Sequence, residues 1–324
     1  MKNFFEETLK KVPDEFGMYK CPLHASVEHT VYVKDNNFLC LHCGASGDVE
    51  QLKTLLKRNS IAQKHFTDEQ KRIFSLNKIA MEYFQNSLAR SEIAKKYVSD
   101  RGLDEETIAL FNIGFANQDW TATKQYLLEK GFTEQEIIDA GITFYSPKTN
   151  KSYDFYRNRL MFPIKDAWGN VIGFSGRTIV NDEKKYINTS ENIVFHKRQG
   201  FYNLNNFDSD YRHVIICEGQ MDVIAFAMAK LPNAVATLGT ALTLAHVKIL
   251  SNIADEIYLC FDGDNAGQSA LAKAVVMFDQ EGVKTKKMVT LNGCKDPDEV
   301  LKKYGRNGLV QMIKNAKSTK EEKA

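Results

Sequence analysis

The chain is poor in the residues that stiffen or staple small proteins, with six prolines, two tryptophans and six cysteines among 324 residues. The cysteines are also unevenly spread: Cys21, Cys40 and Cys43 lie early, and Cys217, Cys260 and Cys294 far downstream. A disulfide framework is therefore not expected, and Cys217 and Cys260, each near the end of an apolar run, read as small buried hydrophobes. No uncharged apolar run approaches the roughly 18 residues that a membrane span requires. The first residues, MKNFFEETLKKV, are charged throughout and lack the apolar core of a signal peptide, so a cytoplasmic location is expected. Charge of one sign is missing as well. The 43 Lys and Arg are set against 41 Asp and Glu, a net of +2, so bulk charge does not announce a polyanionic partner. The pattern GxxxxGK[ST] does not occur, which excludes a P-loop ATPase.

What is present is the composition of a globular protein, 43% hydrophobic and 26% charged, in a chain long enough for two or three domains. Its most informative stretch runs from Tyr211 to Gly267. Three short apolar runs, Val214–Ile216, Ala234–Leu238 and Ile257–Phe261, alternate there with two segments of helical period. That alternation predicts βαβ units and a parallel sheet, whose chemistry sits beyond the carboxyl ends of the strands. Glu218 falls two residues after the first run, Asp262 directly follows the third, and Asp264 is two further on. Three carboxylates thus converge on one edge, beside Gly219, Gly263 and Gly267 in turns where backbone must approach a ligand. Acids so crowded repel one another unless a cation joins them, and an all-oxygen set suits Mg²⁺ or Mn²⁺. For Asp264 and Asp222 singly, capping of the next helix is the plainer reading.

The blocks EGQMD (Glu218–Asp222) and DGDNAG (Asp262–Gly267), with TLGTALT between them, resemble the two signature blocks of a Toprim domain, found in primases, topoisomerases and some nucleases. A topoisomerase would need a nucleophilic tyrosine in further domains, and Toprim nucleases usually accompany an ATPase. Downstream, NGCKDPDEVLKK supplies Asp296 and Asp298 ahead of a helix that Pro297 helps to start. The resemblance adds these two acids, with Asp222, to the metal site. Glu218 lies on a different turn from the aspartates and reads either as a ligand or as a proton shuttle.

Near the amino terminus, CPLH (Cys21–His24) and CLHC (Cys40–Cys43) are two ligand pairs of matching internal spacing with fifteen residues between them. Cys21, His24, Cys40 and Cys43 would close one tetrahedral Zn²⁺ site, and short strands at Thr30–Val33 and Phe38–Leu39 suggest a zinc ribbon. Structural zinc can contribute roughly 10–16 kcal/mol to the folding of so small a segment. CPLH, CLHCG and the following GDVEQLKTLL resemble the zinc-binding domain of bacterial DnaG-type primases, in which it engages single-stranded template. Residues 59–66 read as a hinge. From Thr67 to Arg101 the period is helical, with Thr67 and Gln70 forming a capping box and Ile73, Leu76, Ile79, Ala80, Tyr83 and Phe84 on one face. Further helices are expected at Asp104–Leu110, Trp120–Lys130 and Thr133–Ala140, their aromatics assigned to core packing.

Between Lys148 and Arg198, ten Lys and Arg stand against five Asp and Glu. Here YRNRLMFPIKDAWGNVIGFSGRTI alternates as a hairpin, with Leu160–Ile164 and Val171–Phe174 as its apolar runs. Arginines at strand ends suit phosphate, which they grip with paired hydrogen bonds. This block and KYINTSENIVFHK resemble the RNA-polymerase domain of DnaG-type primases, with Ser175 where glycine is more usual. The resemblance places Arg157, Arg159, Arg177, Lys185 and Lys197 along a template or nucleotide groove.

The expected architecture is multi-domain α/β and α+β: a zinc ribbon at 1–58, a linker at 59–66, a mixed α+β basic subdomain at 67–208, a Toprim parallel-sheet domain at 209–314, and a tail at 315–324. The expected activity is DNA-dependent RNA priming, with single-stranded DNA, ribonucleoside triphosphates, one Zn²⁺ and two or more Mg²⁺ or Mn²⁺ ions. The alternatives are a Toprim nuclease and a non-catalytic DNA-binding recombination mediator. A replicative helicase is a further partner in the family, but the 26 residues after Asp298 leave no room for the usual helicase-binding domain.

Overall fold

The computed structural model describes residues 4–7, 12–14, 17–22, 29–34, 37–40, 45–53, 66–166, 169–198, 200–208, 211, 213–283, 286–291 and 293–318. It divides into two compact units, Phe66–Lys197 and the combination of Met1–His65 with Arg198–Ala324.

The Phe66–Lys197 unit is built on a four-stranded antiparallel sheet in the order Tyr186–Asn188, Val171–Thr178, Arg159–Lys165, Gly114–Ala116. The expected hairpin is its centre, with both strands almost wholly buried. One helix, Asp68–Arg90, lies along this sheet and buries Ile73, Leu76, Ala80, Phe84 and Leu88. Phe84 meets Phe174 edge-on at 5.4 Å, and Gly114 is required where they cross, because a Cβ there would stand 2.5 Å from that of Phe84. The capping box forms as the spacing predicts: Gln70 N–H donates to the Thr67 hydroxyl at 3.1 Å and Thr67 N–H to the Gln70 side chain at 3.0 Å. The long helical stretch ends sooner than expected. Ser91 takes extended backbone and caps a second helix, Glu92–Asp100, through Ala94 N–H.

The other unit carries a six-stranded sheet in the order Phe201–Tyr202, Ala234–Thr237, His213–Cys217, Glu256–Leu259, Lys286–Met288, Lys317–Ser318. The four inner strands are parallel and the two edges antiparallel. Val214, Ile216, Ile257 and Leu259 alternate onto one face, where Val247, Leu250, Ala274 and Phe278 of the helices Leu244–Ile253 and Asn265–Gln280 close the core. Two short strands join this sheet across the expected boundaries. Phe201–Tyr202, near the end of the expected basic subdomain, pairs with Ala236 and Thr237. Within the expected tail, Lys317–Ser318 forms an edge strand against Lys287 and Met288.

The amino-terminal segment forms its own small antiparallel sheet, Tyr19–Lys20, His29–Lys34, Asn37–Cys40 and Ser46–Asp48 in sequence order. It is not detached. Leu39 joins the core of the parallel-sheet unit, and Lys34 pairs with Asp255 at the end of the helix Leu244–Ile253. Of the expected hinge, residues 59–65 lie outside the described residues.

Candidate active site and nucleic-acid surface

The two central strands each deliver an acid to the same edge. Glu218 follows the strand ending at Cys217, and its Oε1 accepts the N–H of Asp262, which lies beyond the neighbouring strand, at 2.9 Å. This contact joins the two signature blocks. Gly267 permits it, since a Cβ there would lie 2.2 Å from the Asp262 carbonyl and 2.8 Å from Glu218 Oε1. Asp222, in the first turn of the helix Gln220–Met228, is 6% exposed and accepts from Gly219 N–H at 3.1 Å. Asp264 Oδ1 accepts from Gly267 N–H at 2.9 Å and Asp296 Oδ1 from Glu299 N–H at 2.8 Å, each capping its own helix. The capping reading of Asp264 is therefore correct as far as it goes, and it leaves the second carboxylate oxygen unused by the cap. Asp298 forms an ion pair with Lys302 at 2.6 Å.

The electrostatics show that these acids share one field. Burial, then Asp296 and Asp262, push the Asp222 carboxyl up to about 8. Burial, then Glu218, Asp296 and Asp264, push Asp262 up to about 6. Shifts of this kind mark a place where added positive charge is favourable. Among the described residues no three His, Cys, Asp or Glu side chains close into a ready-made metal cage. The acids converge without touching, an arrangement that fits a small hard cation which keeps waters and phosphate oxygens among its ligands.

At the amino terminus, Cys21 and Cys40 are buried, and Cys40 lies on the strand beside the Thr30 hydroxyl, 3.5 Å from its sulfur. Both belong to one small sheet: Cys21 directly follows Tyr19–Lys20, which pairs with one side of the strand His29–Lys34, and Cys40 pairs with Val31 on its other side. Buried thiols are the donor chemistry a structural zinc uses. His24 and Cys43 lie outside the described residues.

The five basic residues separate into two groups. Arg159 is 4% exposed and spends its guanidinium on Gly176 O (3.1 Å), Lys184 O (2.9 Å) and Asp182 (2.6 Å). Arg177 is 5% exposed and donates to the hydroxyls of Tyr97 (2.9 Å) and Tyr186 (2.6 Å). Both were expected along a groove, yet both are committed to holding the sheet. Lys185 is exposed, Lys197 partly so, and Arg157 half-buried. The guanidinium of Arg157 stacks 3.9 Å from the ring centre of Trp120, and Tyr153 meets the same ring edge-on at 5.6 Å. Trp120 is 55% exposed, so it is not the core residue that its place at the start of a helical period suggests. The platform is pinned from below by buried Asp154, whose N–H donates to Trp120 O at 2.7 Å while its carboxylate accepts from Thr123 and Lys124 N–H at the start of the helix Ala122–Glu129. Its sequence signal is faint: one of two tryptophans, four residues before a buried lysine.

Comparison with known proteins agrees with this anatomy. Residues 83–208 match the family model of the DNA primase catalytic core, N-terminal domain, and residues 215–301 match the Toprim-like family. A DNA primase of Clostridium acetobutylicum is 33% identical over 325 residues, covering 92% of this chain and 54% of its own length. The chain thus spans about half the length of the curated relatives it matches. A DnaG primase catalytic domain solved bound to single-stranded DNA is 32% identical, with a TM-score of 0.70 over 78% of this chain and 81% of that one. The zinc-binding and RNA polymerase domains of the Aquifex aeolicus primase are 28% identical, with a TM-score of 0.71 over 98% of this chain and 83% of that one. With both blocks of acids, the intervening sheet and the basic subdomain in one order, the chain belongs to the DnaG family of DNA primases.

Proposed function

We propose that the protein makes short RNA primers on single-stranded DNA, a 3′-hydroxyl attacking the α-phosphate of a nucleoside triphosphate and pyrophosphate leaving. The observation that carries this reading is the shared field of the strand-end acids, in which Asp262 is raised to about 6 by burial and by Glu218, Asp296 and Asp264. Glu218, Asp262 and Asp264 would hold Mg²⁺ or Mn²⁺, with Asp222, Asp296 and Asp298 in support. Such ions, when bound, neutralise phosphate charge and favour ionisation of the attacking hydroxyl. The protein's part is placement. Glu218 fixes the backbone of Asp262, and the caps formed by Asp264 and Asp296 fix the turns on which their carboxylates sit.

On the other unit, Trp120 with Arg157 offers a stacking face and a cation together, the pairing that single strands favour. Lys185 and Lys197 add charge for the phosphates. Arg159 serves that surface indirectly, since it binds the carbonyl of Lys184 and so holds the loop carrying Lys185. The amino-terminal segment would carry one structural Zn²⁺ on Cys21, His24, Cys40 and Cys43, in line with the zinc-binding domain of the Aquifex protein.

The test is primer synthesis on mixed-sequence single-stranded DNA with labelled ribonucleotides and Mg²⁺ or Mn²⁺. Asp262→Ala should give no primers while remaining folded, because one repelling charge has left the cluster. Wild-type primer yield from that variant would overturn the assignment.

A further inference from the structure

Resting on the priming reading above, we propose that Lys295 is a catalytic residue that grips the triphosphate of the incoming nucleotide beside the carboxylate cluster. The main chain of Lys295 is fixed on both sides. Its carbonyl accepts the N–H of Gly263 at 2.9 Å, between Asp262 and Asp264, and its own N–H donates to Glu299 Oε2 at 2.6 Å. Gly263 favours this close seating, since a Cβ there would stand 3.2 Å from the Cys294 carbonyl. The turn that carries Lys295 therefore rests on the turn that carries the two aspartates.

The side chain of Lys295 is exposed, and its charge opposes the upward push on Asp262. Asp262, Asp264, Asp296, Asp298 and Glu299 all lie in these two turns, yet among the described residues Lys295 enters no ion pair. The lysine one turn into the following helix behaves otherwise: Lys302 binds Asp298 at 2.6 Å. A lysine whose purpose was to quench repulsion among these acids would close onto one of them as Lys302 does. A cation anchored at its base, exposed at its tip and, among the described residues, unpaired beside the carboxylate edge suits an anion that arrives with the metal. A nucleoside triphosphate is such an anion, and the ammonium group, a compact charge with three donors, can follow its terminal oxygens through the reaction.

The experiment uses the full chain and compares wild type, Lys295→Ala and Lys295→Arg. Three quantities are measured: KM and kcat for ATP in primer synthesis at saturating Mg²⁺, inhibition by inorganic triphosphate, and the Mg²⁺ concentration for half-maximal rate. Lys295→Ala should raise KM for ATP and weaken inorganic triphosphate by roughly tenfold, the worth of one charge-assisted hydrogen bond. Lys295→Arg should recover most of both, and thermal stability should be unchanged. Unaltered KM and triphosphate inhibition, with a shift in Mg²⁺ dependence alone, would overturn the proposal and make Lys295 a tuner of the acids. If wild type itself makes no primers, the priming reading fails instead; inorganic triphosphate binding, measured directly by calorimetry with Mg²⁺, still decides the role of Lys295.

Discussion

Replacing Asp222 by Asn should remove much of the fall of stability with pH between about 6 and 8 in Mg²⁺-free protein. Asp222 is buried against Asp296 and Asp262, and its carboxyl is pushed from the ordinary 3.8 to about 8. A carboxyl raised in this way holds its proton in the native state after the unfolded chain has released it. Below pH 3.8 both states are protonated and the group contributes no slope. Between 3.8 and about 8, native stability falls as pH rises, by up to about 1.4 kcal/mol per pH unit. From pH 4 to pH 7 the loss amounts to at most about 4 kcal/mol, a large share of the stability of a typical domain. Asparagine has no proton to lose, and its side-chain oxygen can still accept the Gly219 N–H that Asp222 Oδ2 accepts at 3.1 Å. Urea unfolding of both proteins between pH 5 and 8.5 reads the difference directly. Asp262, raised to about 6, should lower both midpoints up to that pH; above it the wild-type midpoint should keep falling while that of Asp222→Asn falls less, so their gap should widen toward pH 8. Adding Mg²⁺ should raise the wild-type midpoint most at the alkaline end, where the acids are ionised and able to bind it. Two parallel curves would refute the reasoning, because they would mean that Asp222 titrates alike in folded and unfolded chains.

Trp120→Ala should weaken single-stranded DNA binding by about 1–3 kcal/mol with little effect on the salt slope, as expected for a lost stacking face. Arg157→Ala should weaken it too while reducing that slope by about one, so fluorescence anisotropy across a salt series separates the two roles. Arg177→Ala should instead lower stability by about 1–3 kcal/mol, since it strands the hydroxyls of Tyr97 and Tyr186, and thermal melting is the check. Ser175→Ala should raise stability by about 1 kcal/mol in the same assay, because the Ser175 hydroxyl is wholly buried and has no hydrogen-bond partner.

The parallel sheet was readable because its determinants are local. Fully buried strands must be apolar runs, and Val214–Ile216 and Ile257–Phe261 could hardly be anything else once acids and glycines follow them. The Thr67 capping box was readable for the same reason, being complete within four residues. The edge strands were not. Phe201–Tyr202 and Lys317–Ser318 are two residues long and form because a neighbouring strand has unpaired backbone to offer, a cause located far away in the chain. The site shows the same division. Asp262 and Glu218 announce themselves by following strands, whereas the contact that joins them runs from a side chain to a backbone N–H 44 residues on.

The arginines show where a pattern misleads. The family resemblance placed Arg157 and Arg159 in one groove, and their spacing does not argue against it, since residues two apart along a regular strand share a face. Between them Asn158 adopts a left-handed backbone, φ 51°, and the strand begins only at Arg159. Asn tolerates that conformation better than other side-chain-bearing residues do, so its identity is the signal that the spacing conceals. Its backbone is held in place by two further bonds, its N–H donating to Asn117 O at 3.0 Å and its carbonyl accepting from Ile179 N–H at 3.0 Å. The alternation is broken at that one residue. Arg159 enters the sheet and is consumed by carbonyls and Asp182, while Arg157 swings out onto Trp120, where a stacked cation can meet a single strand.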